Sequence, residues 1–67
     1  MKKLTVEVQT WAYDPMWHRT EEIDILVYGD ATTEEVIKRT TRALEAQGDG
    51  EGGHADVWVT LLKESEI

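Results

Sequence analysis

TTEEVIKRTTRALEAQ, residues Thr32–Gln47, is the stretch that decides the fold. It opens as a capping box, in which the hydroxyl of Thr32 accepts from the amide of Glu35 and the Glu35 carboxylate reaches back. Apolar and small side chains then recur at the 3.6-residue period of a helix. Gly48 follows at the position where a left-handed residue commonly ends a helix. The sequence therefore predicts one amphipathic helix over Thr32–Gln47.

Three stretches of alternating apolar and polar side chains flank this helix and predict β-strands. They are Lys2–Ala12, Arg19–Tyr28 and Ala55–Lys63. Between the first two, Tyr13–His18 breaks the alternation and contains an Asp-Pro pair that favours a turn, so these strands should form a hairpin. The tail Glu64–Ile67 is expected to fray.

The element order predicts an α+β fold, β-β-α-β, with one helix packed on one face of a three-stranded, mainly antiparallel sheet. The third strand can lie parallel beside the second or antiparallel beside the first. We favour the antiparallel placement, order 2-1-3, because the glycine-rich segment Gly48–His54 gives slack for a crossover. At 67 residues, the chain is expected to form a single domain, 1–67. The predicted core is aliphatic: Leu4, Val6, Val8, Ile23, Ile25, Val27, Val36, Ile37, Ala43, Leu44, Val57, Val59 and Leu61.

Composition and charge narrow the classes of function. The chain carries a formal net charge of −7, from 14 acidic and 7 basic residues, and it has no cysteine. An acidic excess argues against direct binding to nucleic acid or to an anionic membrane, since both attract basic surfaces. There is also no apolar leader and no apolar run of membrane-spanning length. We therefore expect a cytoplasmic protein.

The charge is unevenly distributed along the chain. Within Thr33–Gln47 three acids balance three bases, so the whole net charge lies on the strands and loops. By alternation, the sheet face away from the helix should carry aromatic, apolar and acidic side chains: Trp11, Leu26, Tyr28, Trp58, Leu62, Glu7, Glu22, Asp24, Asp56 and Glu64. Met16 and Trp17 should stand at the hairpin tip beside Asp14, so that no tryptophan lies on the core side.

Such a face has a functional and a structural interpretation. Aromatic rings among charges are typical of contact surfaces. Carboxylates on a rigid sheet can also attract a basic groove and imitate the phosphates that it binds. Alternatively, a bulge shifts the register, or a loop covers the rings.

Catalytic and metal-binding patterns are weak in this sequence. The only serine, Ser65, lies in the tail, and no cysteine is present to act as a nucleophile. His18 and His54 are expected in separate loops, and His54 with Asp56 is too small a ligand set to predict a metal site. We expect a non-enzymatic protein with no catalytic residue, no metal and no cofactor.

In size, acidity, lack of cysteine and β-β-α-β layout, the whole chain resembles the small acidic anti-CRISPR proteins encoded by phages, including those that act on type I surveillance complexes. This resemblance implies a DNA mimic that inhibits an RNA-guided complex by occupying its basic DNA-binding channel in the host cytoplasm. The acidic residues that it implies for binding are Glu7, Asp14, Glu22, Asp24, Asp56 and Glu64. The exposed tryptophans add apolar anchors: Trp11, Trp17 and Trp58.

Two other functions fit the same sequence. One is a β-grasp-like or designed module that binds a protein through its Trp/Tyr face; the order hairpin, helix, strand matches the first part of a β-grasp domain, although the final central strand is missing. The other is a structural domain that self-associates through its sheet. Of the two oligomeric states, we expect a monomer rather than a dimer.

Overall fold

The computed structural model describes residues 1–13, 16–48, 50 and 52–67. The elements are β1 (Lys2–Tyr13), β2 (Met16–Val27), α1 (Thr33–Gln47) and β3 (Ala55–Glu66). The strand order is β2-β1-β3, and β1 pairs antiparallel with both neighbours. The predicted α+β class, the β-β-α-β topology and the preferred strand order are confirmed.

Helix α1 is capped at both ends by the residues that the sequence indicated. The hydroxyl of Thr32 accepts from the amide of Glu35 at 3.1 Å. At the other end Gly48, with φ of 60°, donates its amide to the carbonyl of Glu45. The side chains of α1 that are partly buried follow three- and four-residue steps: Thr33, Val36, Ile37, Thr40, Thr41 and Leu44. Ala43, predicted in the core, is exposed because it lies off this face.

The core is thin and lies between α1 and the sheet. Its buried cluster consists of strand residues: Leu4, Val6, Val8, Val27 and Val57. Partly buried apolar side chains pack around it: Ile23, Ile25, Ala31, Val36, Leu44 and Val59. Leu61 was predicted inside, but it is 38% exposed, since it lies on an edge strand beside an irregularity in the register.

That irregularity is a bulge in β3. Val6 pairs with Leu61, whereas Thr5 pairs with Lys63, so Leu62 has no partner of its own on β1. An extra residue of this kind reverses the side-chain alternation of the strand beyond it. The predicted face assignment therefore fails for the residues that follow Leu62.

Glu64 is the main residue affected by the bulge. It lies opposite Leu4 on the helix side of the sheet, and not on the open face where the sequence placed it. The end of the chain was also expected to fray. Instead, β3 continues to Glu66, and the amide of Ile67 donates to the carbonyl of Met1 at 3.2 Å.

The hairpin extends further than predicted. β1 ends at Tyr13 and β2 begins at Met16, so pairing and alternation continue through most of the predicted turn. Trp17 lies opposite the fully buried Ala12, on the helix side of the sheet. The prediction that no tryptophan faces that side is wrong for Trp17. Asp14, the predicted tip residue, lies outside the described residues.

The sheet is longer than the helix that covers it. Strands of 12 residues span about 40 Å, whereas a helix of 15 residues spans about 22 Å. The longest dimension of the molecule is 40 Å. α1 packs most closely on β3, which is the edge strand on the opposite side of β1 from β2. In the part of the chain that the structure describes, no helix has the length and apolar character needed to cross a membrane.

Candidate interaction face of the sheet

The sheet face without a helix, here the outer face, is assigned by the strand register. Its β1 residues are Lys3, Thr5, Glu7, Gln9, Trp11 and Tyr13. Opposite them on β2 lie Leu26, Asp24, Glu22, Thr20, His18 and Met16. On the β3 side lie Ser65, Lys63, Thr60, Trp58 and Asp56. Along the strands, the chemistry therefore changes from lysines, through carboxylates, to aromatic rings.

The carboxylates in the middle form what we call the acid cluster: Glu7, Glu22 and Asp24. Glu7 is directly opposite Glu22, and Asp24 is the next residue of β2 on the same face. Directly opposed Cβ atoms are about 4.5–5.5 Å apart, a separation at which like charges destabilise a sheet. Neutral donors hold two of these carboxylates in place: Thr5 Oγ1 donates to Asp24 Oδ1 at 2.8 Å, and Gln9 Nε2 donates to Glu7 Oε1 at 3.0 Å.

No cation neutralises the acid cluster within the described residues. The ion pairs there are Lys2–Glu64, Arg19–Glu21 and His54–Asp56, and none includes a member of the cluster. Both Glu22 and Asp24 are exposed. The charge of the cluster is therefore left to solvent and to any basic surface that approaches this face.

The outer face is not uniformly acidic. Lys3 and Lys63 lie at the end of the face farthest from the hairpin. Thr5 is opposite Lys63 on β3 and is the next outer-face residue after Lys3 on β1. The acidic residues of the face are Glu7, Glu22, Asp24 and Asp56. Among the described residues, the carboxylates of this face that have no ion-pair partner are therefore those of the acid cluster.

Aromatic side chains gather at the hairpin end of the outer face, and we call them the aromatic cluster: Trp11, Tyr13, His18 and Trp58. The rings of Trp11 and His18 stack with centroids 3.9 Å apart and an interplanar angle of 18°. Trp58 lies opposite Gln9, at the end of the aromatic cluster that adjoins the acid cluster, and is 50% exposed. Half-exposed rings held on a sheet offer apolar contact area beside the acid cluster.

Asp56 is engaged with its neighbours. Its carboxylate accepts from the hydroxyl of Tyr13 and pairs with His54 Nε2 at 2.9 Å. The Tyr13 hydrogen bond, followed by that of His54, holds the pKa of Asp56 below its ordinary value. The same hydrogen bond raises the pKa of the Tyr13 phenol. Asp56 therefore serves to order this corner of the face, and its charge is less available than that of Glu22.

Two predicted contact residues lie on the helix side. Glu64 accepts from the hydroxyl of Thr33 and pairs with Lys2 Nζ at 3.2 Å, and the same two partners, Thr33 first, lower the pKa of Glu64. Trp17 is half-buried, with the guanidinium of Arg19 5.3 Å from its ring centroid. Of the predicted site, the structure brings together Glu7, Glu22 and Asp24, and it places Trp11, Trp58 and Asp56 on the same face.

His18 and Tyr13 are members of the face that sequence reasoning missed. Both were assigned to a turn, so His18 was treated as an isolated loop histidine. Extending the alternation of β1 and β2 through Tyr13 and Met16 would have placed His18 opposite Trp11.

In the described part of the chain, no set of three or more histidine, aspartate or glutamate side chains is arranged to hold a metal ion. No family model, curated protein or solved structure matches the chain.

Proposed function

We propose that the protein is a non-enzymatic inhibitor that docks its outer face on the basic, nucleic-acid-binding surface of another protein. The class of target that we propose is an RNA-guided bacterial defence complex, inhibited by DNA mimicry as with anti-CRISPR proteins of type I surveillance complexes. The observation that supports this most is the acid cluster, where Glu7 and Glu22 are opposed, Asp24 adjoins them, and none of the three is in an ion pair among the described residues.

The repulsion between two opposed carboxylates destabilises the free protein, and a basic partner would remove this repulsion. A groove that binds phosphates presents lysine and arginine side chains, and each can bridge Glu7 and Glu22 in place of phosphate oxygens. The net charge of −7 adds a long-range attraction that accelerates association with a basic surface. In this proposal the protein binds neither nucleic acid nor membrane, and it acts in the cytoplasm of the cell that contains its target.

The aromatic cluster supplies a second kind of contact. Charge complementarity contributes mainly to association rate and specificity, whereas buried aromatic anchors carry much of the binding free energy of an interface. Trp58 suits this role because it is half-exposed and lies beside the acid cluster.

The test is competition between this protein and DNA for a purified RNA-guided surveillance complex. We expect the wild-type protein to displace a target duplex and to lose affinity as salt rises. The double variant Glu7→Gln/Glu22→Gln should bind at least about tenfold more weakly, because two carboxylate contacts are lost. The complexes to test are chosen by affinity capture from bacterial lysate with stepped salt elution.

The matched control is Glu34→Gln/Glu45→Gln on α1, which removes the same two charges from exposed positions away from the outer face. It should lower affinity only slightly, through the net charge. Equal losses in the two double variants would contradict the acid cluster as the binding site. Binding of the wild-type protein that leaves DNA loading unaffected would contradict mimicry.

A second candidate function is a protein-binding module that docks mainly through the aromatic cluster. The exposure of Trp58 and Tyr13, each 50%, favours it. In that case Trp58→Ala should weaken binding by about 2 kcal/mol or more with little dependence on salt. The acid-cluster variants would then bind almost as well as wild type.

A further inference from the structure

β2 lies at one edge of the sheet and pairs with β1 on one side only. The backbone N–H and C=O groups along its other side can therefore bond to another strand. β2 bonds to β1 through an uninterrupted register from Val27 to Met16, with no bulge. It contains no proline, lysine or bulge, which are features that commonly protect edges from pairing, and its charged residues are Arg19, Glu21, Glu22 and Asp24. It also lies at the edge of the sheet opposite β3, the strand on which α1 packs most closely. A second chain could therefore add to this edge by backbone hydrogen bonding.

The sequence of β2 is complementary to itself around Thr20. When a second copy is paired antiparallel with Thr20 opposite Thr20, Arg19 of one copy lies opposite Glu21 of the other. On the outer face, His18 then lies opposite Glu22. Next along the ladder, Trp17 lies opposite Ile23. Ion pairs and aromatic–β-branched pairs at opposed positions are the contacts that stabilise antiparallel sheets.

We propose that the protein forms a two-fold symmetric dimer through antiparallel β2–β2 pairing centred on Thr20. This proposal differs from the monomer that the sequence predicts. The dimer is a six-stranded sheet of order β3-β1-β2-β2-β1-β3, with both helices on one face and both acid clusters on the other.

The charges select this register over its neighbours. In a symmetric pair of edge strands, opposed residues must lie on the same face, so the centre falls on a single residue. A centre on Arg19 opposes two arginines, and a centre on Glu21 or Glu22 opposes two carboxylates. Centring on Thr20 places Arg19 opposite Glu21 on each side of the centre, and it opposes no two like charges between Met16 and Asp24.

Side-chain burial supports the same centre. Trp17 and Ile23 lie on the helix side of β2 and are both only partly buried in the single chain. Pairing at Thr20 places each against its counterpart from the other copy and removes further apolar area from water. The net charge of −7 on each copy opposes association, but at physiological salt this repulsion is screened beyond about 8 Å, which leaves the opposed pairs dominant.

The first test is the mass of the protein alone in sedimentation equilibrium over a range of concentrations. We expect a concentration-dependent rise towards twice the chain mass of 7.7 kDa. Glu21→Arg should raise the dissociation constant at least about tenfold, because it opposes arginines at two symmetric positions. The charge swap Arg19→Glu/Glu21→Arg should restore the dimer, since the opposed signs are again unlike.

Glu45→Arg is the control, because it changes the net charge as Glu21→Arg does but lies on α1. Circular dichroism establishes that each variant is folded. A wild-type protein that stays monomeric at about 1 mM, a charge swap that fails to restore association, or equal effects of the two single variants would overturn the proposal.

The second test fixes the register with an introduced cysteine, which is informative because the chain has none. Thr20→Cys should give a disulfide-linked dimer on mild oxidation, since opposed Cα atoms lie within the range that a disulfide bridges. Glu22→Cys is the control: in the proposed register the two substituted positions are about 13 Å apart along the strands. Equal crosslinking of both variants would overturn the register.

These tests use the protein without any partner. Their outcome is therefore independent of whether the outer face binds a basic nucleic-acid-binding surface.

Discussion

Glu7 and Glu22 face each other across the β1–β2 ladder on the outer face, and neither belongs to any ion pair of the described residues. The donors nearest to this pair are neutral, as shown by Gln9, which donates to Glu7 at 3.0 Å. In a small domain with a thin core, a local repulsion of this kind reduces the stability of the free protein while it increases the attraction of a basic partner.

Removing one charge of the pair should therefore stabilise the free protein. We expect Glu22→Gln to raise the free energy of unfolding by about 0.5 kcal/mol at low ionic strength, with the gain fading in about 0.5 M salt. Urea unfolding at micromolar protein concentration and two salt concentrations measures it. Glu34→Gln, in the first turn of α1, is the control and should show no such gain, because a negative charge is favourable at a helix N-terminus. A loss of stability, or a gain of equal size at both salt concentrations, would contradict the repulsion.

The two leucines at Leu4 and Leu62 should differ sharply in their contributions to stability. Leu4 is fully buried, whereas Leu62, the extra residue of the bulge, is 50% exposed. Leu4→Ala should destabilise by about 2–5 kcal/mol, enough to unfold much of so small a domain. Leu62→Ala should stay within about 0.5 kcal/mol of wild type. Thermal unfolding of the pair checks this, and similar losses would mean that the core is not centred on Leu4.

The topology could be predicted from the sequence because the helix has clear capping residues and a 3.6-residue period, and because apolar and polar residues alternate along the strands. The bulge was not predictable, since Leu61 and Leu62 are adjacent and equally apolar, and nothing in the pattern shows which one faces the helix. As a result, Glu64 was assigned to the wrong face. The face of Glu7, Glu22 and Asp24 was predicted correctly because they lie on β1 and β2, whose pairing with each other contains no bulge.

The aromatic end of the face was harder to predict for a different reason. From Tyr13 to His18 the chain carries four large side chains and an Asp-Pro pair, so polarity does not alternate, although β1 extends to Tyr13 and β2 begins at Met16. Trp17 was consequently separated from the strand that carries it. Pairing with β1, which is a long-range interaction, fixes these positions.

The glycine that ends α1 should be difficult to replace. Gly48 has φ of 60°, and a Cβ atom there would overlap the carbonyl oxygen of Gly53. Gly29 also has a positive φ, of 78°, but has open space around it. We expect Gly29→Ala to cost about 1 kcal/mol through backbone strain alone, and Gly48→Ala about 2 kcal/mol or more. Equal costs in chemical denaturation would show that the contact with Gly53 does not matter.

Glu64 should contribute stability that acid removes. Its folded-state pKa is lowered by the Thr33 hydroxyl and by Lys2, so its contribution is present above the unfolded-state pKa and is lost as pH falls through the folded-state pKa. Glu64→Gln should therefore flatten the acid side of the stability profile, and Glu66→Gln serves as the control. Unfolding curves between about pH 2.5 and 6 measure this window. A profile unchanged by Glu64→Gln would contradict the role of the bulge in placing this carboxylate.

The hydrogen bond from Tyr13 to Asp56 should make the stability of the protein depend on pH in both the acidic and the alkaline range. The pKa of Tyr13 is raised above its ordinary value of 10.0, so its contribution is complete below that value and is lost as pH rises through the folded-state pKa. The pKa of Asp56 is lowered from 3.8, so its contribution is present above that value and is lost as pH falls through the folded-state pKa. Tyr13→Phe removes the shared bond and should flatten both limbs, leaving the part of the acid limb that His54 maintains.

Ultraviolet titration of the phenol provides the direct measurement. In a Tyr28→Phe background only Tyr13 titrates, and its midpoint should lie above the ordinary value of 10.0 and fall towards it when Asp56→Asn is added. The carboxylate accepts the phenol proton and repels the phenolate, so its neutral isostere should remove most of the shift. A midpoint that Asp56→Asn leaves unchanged would mean that this pair does not order the aromatic corner of the outer face.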